Sequence, residues 1–189
     1  RSIGQLQKID ERDLVARYDS IGLRLARLSR GQDKRKIVPQ SVAKSISSET
    51  TFNEDLDTLA ALEKHLWALS ERTADRCKRK NMAGTTIILK VKTSNFTTLT
   101  RNRALADPTQ LADTIFSIGK ILLAQLLSDK PGTKYRLIGI GVSGLVDGAY
   151  ADPPDLADPD KTRRKAAEKA MDDLRDKFGR SAIKTGRSL

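Results

Sequence analysis

The chain has 189 residues, 38% of them apolar but only 4% aromatic, and its 35 Lys and Arg against 24 Asp and Glu leave a net charge of +11. The single cysteine, Cys77, excludes an intrachain disulfide framework and suits a reducing compartment. The most apolar run, 115–127, is broken by Lys120 and too short to span a bilayer, so a cytoplasmic protein with a polyanionic partner and no membrane is expected.

Residues 1 to about 30 hold helical spacing through Leu6, Ile9, Leu14, Tyr18, Ile21, Leu25 and Leu28, then stop at Gly31. QDKRKIVPQSVA follows as an extended basic linker, because Pro39 opposes a helix. AKSISSETTF (43–52) alternates as a strand. Lys44, Ile46, Ser48, Thr50 and Phe52 share one face; Ser45, Ser47, Glu49 and Thr51 share the other. The spacing then predicts a helix over about 55–80, with Leu59, Leu62, Leu66, Leu69, Thr73 and Cys77 on one stripe.

TTIILKVKT (85–93) reads as a second strand, Ile87, Leu89 and Val91 opposing Thr86, Ile88, Lys90 and Lys92. After a short turn, TTLTRNRA (97–104) is a third. Asp107-Pro108-Thr109 opens a helix over 110–127 with Leu111, Ile115, Ile118, Leu122 and Leu126 inward. KPGT turns into the last strand, KYRLIGIGVSGL (134–145), with Ile138, Ile140 and Val142 on one face. An acidic, Pro-rich stretch, YADPPDLADPD, precedes a final helix from about Lys161 to Phe178.

The order β-α-β-β-α-β predicts an α+β fold: a four-stranded, mainly antiparallel, ferredoxin-like split-βαβ sheet. Two helices cover one face, with a helical segment before and a helical tail after. The open face is expected to collect Lys90, Lys92, Arg101, Asn102, Arg103, Lys134 and Arg136 around a low centre of Ser45, Ser47, Gly139, Gly141 and Ser143, with Lys44 nearby. Stacking of unpaired bases is disfavoured, because the third strand has no aromatic and Phe52 shares parity with core Ile46. Small residues and cations suit a duplex backbone instead. An ordinary solvated sheet face, with basic residues that block edge pairing, is the plain alternative; a stand-alone RNA-binding module and a protein-interaction module of the same topology also stay open.

Other residues carry less. His65 is the only histidine, and Cys77 reads as a packed thiol. Trp67 lies off the buried stripe, where it packs against the tail helix, meets another domain or edges the core. KTRRKAAEK reads as a solvated helix balanced by DDLRDK. Asp10-Glu11 and Asp172-Asp173 are neighbours on helices, where adjacent side chains diverge, so no two-metal centre and no catalytic residue are expected.

KSISSETTF, ILKVKTSNFTTLTRNRAL, PTQLADTIFSIGKILL and YRLIGIGVSGL together resemble the little-finger domain of the bacterial Y-family, translesion DNA polymerases. SIGQLQKIDERDLVARYDSIGLRLARLSRGQD resembles part of that family's thumb, and MDDLRDKFGRSAIKTGRSL is similar to the tail of some proteobacterial members. The resemblance implies a partial thumb over 1–31, a linker over 32–42, the little finger over 43–148 and a tail over 149–189. It implies a role in error-prone synthesis across DNA damage, with a catalytic palm upstream of Arg1 and Mg2+ used by the whole polymerase. This chain alone is expected to be inactive, to need no cofactor and to be a monomer. Double-stranded template-primer is the implied partner, met by Lys44, Ser45, Ser47, Lys90, Lys92, Arg101, Arg103 and Arg136. The sliding clamp is the other implied partner, through a Gln-x-x-Leu-Phe-like peptide. Here PPDLADP offers only Asp155 and Leu156, without the Gln or the aromatic pair.

Overall fold

The computed structural model describes residues 2–37, 43–154, 158–179, 181–183 and 185–186. They fall into two compact units, Arg1–Val42 and Ala43–Leu189.

In the first unit, α1 (Ile3–Gln7) and α2 (Glu11–Ser29) form a hairpin. Ser2 and Gln5 make a reciprocal capping box, and the Asp10 carboxylate accepts the Arg12 N–H at 2.8 Å to start α2. A kink at Asp19 (φ 52, ψ −136) divides α2. The Arg30 guanidinium donates to the carbonyls of Gln7 and Ile9 at 3.2 Å each, tying the end of α2 back to α1.

The second unit runs β1 (Ser45–Leu56), α3 (Leu59–Arg79), β2 (Met82–Thr93), β3 (Thr98–Thr109), α4 (Ala112–Asp129), β4 (Tyr135–Asp147) and α5 (Asp160–Phe178). The sheet order is β1-β4-β2-β3, and every neighbouring pair is antiparallel. Each β-α-β unit is therefore split: β4 lies between β1 and β2, and β2 lies between β3 and β4. The core forms where Leu62, Leu66 and Leu69 of α3 and Ile115, Leu123 and Leu126 of α4 meet Ile87, Leu89, Val91, Ile138, Ile140 and Val142 of the central strands.

Several element ends differ from the sequence expectation. β1 continues to Leu56, and α3 starts only at Leu59, where the Thr58 hydroxyl accepts the Ala61 N–H at 3.4 Å. Asp107-Pro108-Thr109 ends β3 rather than opening a helix; an edge strand tolerates Pro because its outward N–H has no ladder partner to lose. α4 then begins after Leu111 with no side-chain cap of its own. The tail supplies one: Glu168 of α5 accepts the Ala112 N–H through both carboxylate oxygens, at 3.0 and 3.1 Å.

The tail helix is solvated, as its composition suggested, and it is also tethered to the domain by charge. None of its residues is buried, yet charged contacts tether it along its length. Lys161 meets Asp107 at 3.3 Å, Arg164 meets Asp113 at 3.4 Å and also Asp158, and Arg175 meets Glu71 at 2.9 Å. Lys165 donates to the carbonyls of Ala151 and Asp152. At the centre, Lys78 of α3 reaches Glu168 at 2.5 Å and Asp172 at 2.6 Å. Burial opposes the Lys78 charge, but the two carboxylates outweigh it and raise its pKa. Burial raises the Glu168 pKa, and the one shared ammonium only partly offsets this.

Of the alternatives for Trp67, the core is the one its burial supports, and a polar contact reaches Thr185, beyond the tail helix. The indole is buried, stands edge-on to Phe116 with ring centroids 5.2 Å apart, and donates Nε1–H to the Thr185 hydroxyl at 2.9 Å. Cys77 is fully buried, and burial pushes its thiol pKa up to about 11.

Candidate nucleic-acid interface

α3 and α4 cover one sheet face; the register defines what the other presents. In an antiparallel pair, residues directly opposite each other point to the same side. The partners across β1, β4, β2 and β3 give four rows: Ser45–Ser143–Thr86–Ala104, Ser47–Gly141–Ile88–Asn102, Glu49–Gly139–Lys90–Thr100 and Thr51–Leu137–Lys92–Thr98. The surface is low and rich in hydroxyls.

Gly139 and Gly141 set its height. A Cβ at Gly141 would come within 2.6 Å of the Ser47 Cβ and 2.9 Å of the Ile46 carbonyl oxygen; one at Gly139 would approach the Glu49 Cβ to 2.9 Å. A shallow depression of about 130 Å³ results, lined among others by Ser45, Ser47, Ile88, Gly139 and Gly141.

Some of the expected cations are here and others are elsewhere. Lys90 and Lys92 lie in the rows, Asn102 sits beside Ile88, and Ser45 and Ser47 are exposed on β1. Lys44 and Lys134 are exposed at the starts of β1 and β4. Arg101 and Arg103 belong to the opposite face: they pair with Leu89 and Ile87, both 0% exposed on the helix side. The Arg101 guanidinium accordingly meets Asp129, at the end of α4, at 3.3 Å.

Arg136 is displaced by a bulge. Leu137 pairs with Lys92 while Tyr135 pairs with Thr93, so Arg136 is the unpaired extra residue of β4. Its guanidinium lies 4.2 Å from the centre of the Phe96 ring, and its Nε lies 3.7 Å from Asp55. Asp155 and Leu156, the clamp-contact candidates, fall outside the described residues.

Sequence reasoning missed the chemistry of Glu49. Its carboxylate is the only acid in the four rows, and it reaches across Gly139 to the Lys90 ammonium at 2.8 Å. Alternation had already placed Glu49 on this face; the register supplies its partner.

The backbone offers less than the small side chains imply. β4 is hydrogen-bonded on both sides, so its amides are used within the ladders. Outward-pointing N–H groups remain on the outer edges of β1 and β3, although Arg76 already donates to the Ser47 carbonyl. The base-stacking mode stays disfavoured, since Phe52 is half-buried and packs against the His65 ring at 4.7 Å. Among the described residues, no group of three or more His, Cys, Asp and Glu could hold a metal ion. Among them, too, no helix is long and apolar enough to cross a membrane.

A family model described as the impB/mucB/samB family C-terminal domain matches residues 43–154. DNA polymerase IV 1 of Mesorhizobium japonicum is 52% identical over 186 residues, covering 98% of this chain and 42% of that protein. DNA polymerase IV of Brucella melitensis is also 52% identical over 186 residues, with 98% and 41% covered. Among solved structures, a Y-family DNA polymerase chimera of Dbh and Dpo4 superposes with a TM-score of 0.55 at 14% identity, over 78% of this chain and 42% of that one. That likeness shows the shared fold. The chain spans less than half the length of these polymerases.

Proposed function

The chain belongs to the impB/mucB/samB C-terminal domain family, and from that membership we propose that its sheet holds template-primer duplex for a Y-family, translesion DNA polymerase acting in the cytoplasm. In this reading nucleotidyl transfer and its Mg2+ belong to segments of the polymerase beyond these 189 residues, and this region supplies grip. The observation that carries the proposal is the four-row face: two lysines and seven hydroxyls around glycines that leave a phosphate backbone room to approach.

The mechanism follows from what each group can donate. Lys90 and Lys92 neutralise phosphates within the rows, and Lys44 and Lys134 extend the positive field beyond them. The hydroxyls of Ser45, Ser47, Thr51, Thr86, Thr98, Thr100 and Ser143 donate to phosphate oxygens, as do outward amides of β1 and β3. None of these contacts reads a base edge except through Asn102, so binding is nearly blind to sequence. A face of this kind suits an enzyme that must hold damaged and undamaged duplex alike.

Fluorescence anisotropy with primer-template duplex, single-stranded DNA and RNA over a series of salt concentrations tests the proposal. The duplex should bind best, with log K falling linearly in log salt. Preference for single strands or RNA would overturn it, and binding with no salt dependence would point to a protein-interaction surface.

A further inference from the structure

Glu49 occupies the place on this face where a carboxylate is least expected. Its neighbours in the row are Gly139, Lys90 and Thr100, and it is flanked along β1 by the hydroxyls of Ser47 and Thr51. A phosphate backbone lying on these rows would meet a negative charge near the centre of its footprint. We propose that Glu49 is a built-in competitor for the DNA backbone: it occupies Lys90 in the free protein and thereby limits how tightly the face holds duplex. The proposal rests on the duplex-binding reading above and concerns the same face.

Three features fit that role. The ion pair is short, 2.8 Å, but both side chains are about half exposed, 41% for Lys90 and 52% for Glu49. A pair so solvated is weak, and a phosphate can displace it; a buried pair would remove Lys90 from use altogether. Gly139 makes the reach possible, because a side chain there would crowd the Glu49 Cβ on the path across β4. Finally, the displaced carboxylate stays tethered beside the occupied site. There it repels the phosphates and competes to recapture Lys90 as soon as the DNA shifts, which favours release. The four rows therefore act with a net charge of +1 rather than +2, a setting suited to a grip that must let the duplex slide.

The test is a double-mutant cycle on the same 189-residue chain, binding a primer-template duplex labelled with fluorescein. Glu49→Gln keeps the shape of the side chain and removes its charge, and a circular dichroism spectrum checks that the fold is kept. It should tighten binding and steepen the log K against log salt slope by about 0.9, so that the gain at 50 mM salt is about 3.5 times that at 200 mM. Lys90→Ala should weaken the wild type, and should cost more affinity on Glu49→Gln, where no carboxylate holds the ammonium before the DNA arrives. Equal or weaker binding by Glu49→Gln, or an equal cost of Lys90→Ala in both backgrounds, overturns the competitor role while leaving duplex binding intact. A wild-type chain that does not bind duplex overturns both.

Discussion

Glu168 and Ala112, in helices formed 56 positions apart, meet in a two-oxygen cap: the carboxylate of α5 accepts the first N–H of α4 at 3.0 and 3.1 Å. Glu168→Ala leaves that N–H without its acceptor and leaves the partly buried Lys78 with Asp172 alone. A loss of about 1–3 kcal/mol is expected. Urea unfolding followed by the emission of Trp67, the only tryptophan in the chain, reads it directly.

The same residue gives a pH signature. Burial raises the Glu168 pKa above its ordinary 4.5. Between 4.5 and the raised value the folded state keeps a proton that the unfolded state has lost, so stability falls as pH rises through that window. The stability difference between wild type and Glu168→Gln should be most favourable to wild type below pH 4.5, decline above it, and level off once Glu168 is ionised in both states. Urea titrations from pH 4 to 8 on both proteins check the sign.

Cys77 should be silent in the folded protein. With the thiol fully buried and its pKa pushed up to about 11, almost no thiolate exists at pH 8. A chromogenic disulfide reagent should label it only as denaturant unfolds the chain, along the same curve as Trp67 emission.

Gly141 tests the low surface. Gly141→Val places its Cβ against Ser47 and the Ile46 carbonyl, at 2.6 and 2.9 Å before relaxation. It should destabilise the β1–β4 pairing by about 1–3 kcal/mol and weaken duplex binding at temperatures where the protein remains folded. Thermal unfolding and anisotropy on one preparation separate the two effects.

The two basic sets predict opposite outcomes. Lys92→Ala should flatten the salt slope of duplex binding by about 0.9, because Lys92 lies in the open rows. Arg101→Ala with Arg103→Ala should leave the slope unchanged, because both sit on the helix side. Anisotropy titrations between 50 and 300 mM salt decide it.

The sequence carried the architecture wherever a strand or helix has a strong apolar face. Ile87, Leu89 and Val91 placed β2, and the leucine stripe placed α3. β3 was harder because its helix side is only partly apolar: Leu99 and Leu105 share parity with Arg101 and Arg103, a signal that two arginines and an edge position obscured. Arg136 was beyond alternation, since one bulge residue reverses the phase at the end of β4. The Glu49–Lys90 pair needed the register of three strands. The docking of α5 was least legible, because an interface built from ion pairs leaves no hydrophobic period in either partner.

The cap on α4 also bears on how the protein is made. A chain growing from the ribosome presents α4 to solvent before Glu168 exists, so the first turn of that helix waits, uncapped, for about 56 more residues. Until then Lys78 faces neither of its carboxylates. Once α5 is available, Glu168 supplies the missing cap, and released chains ending before and after α5 should differ in protease resistance around Leu111 and Ala112.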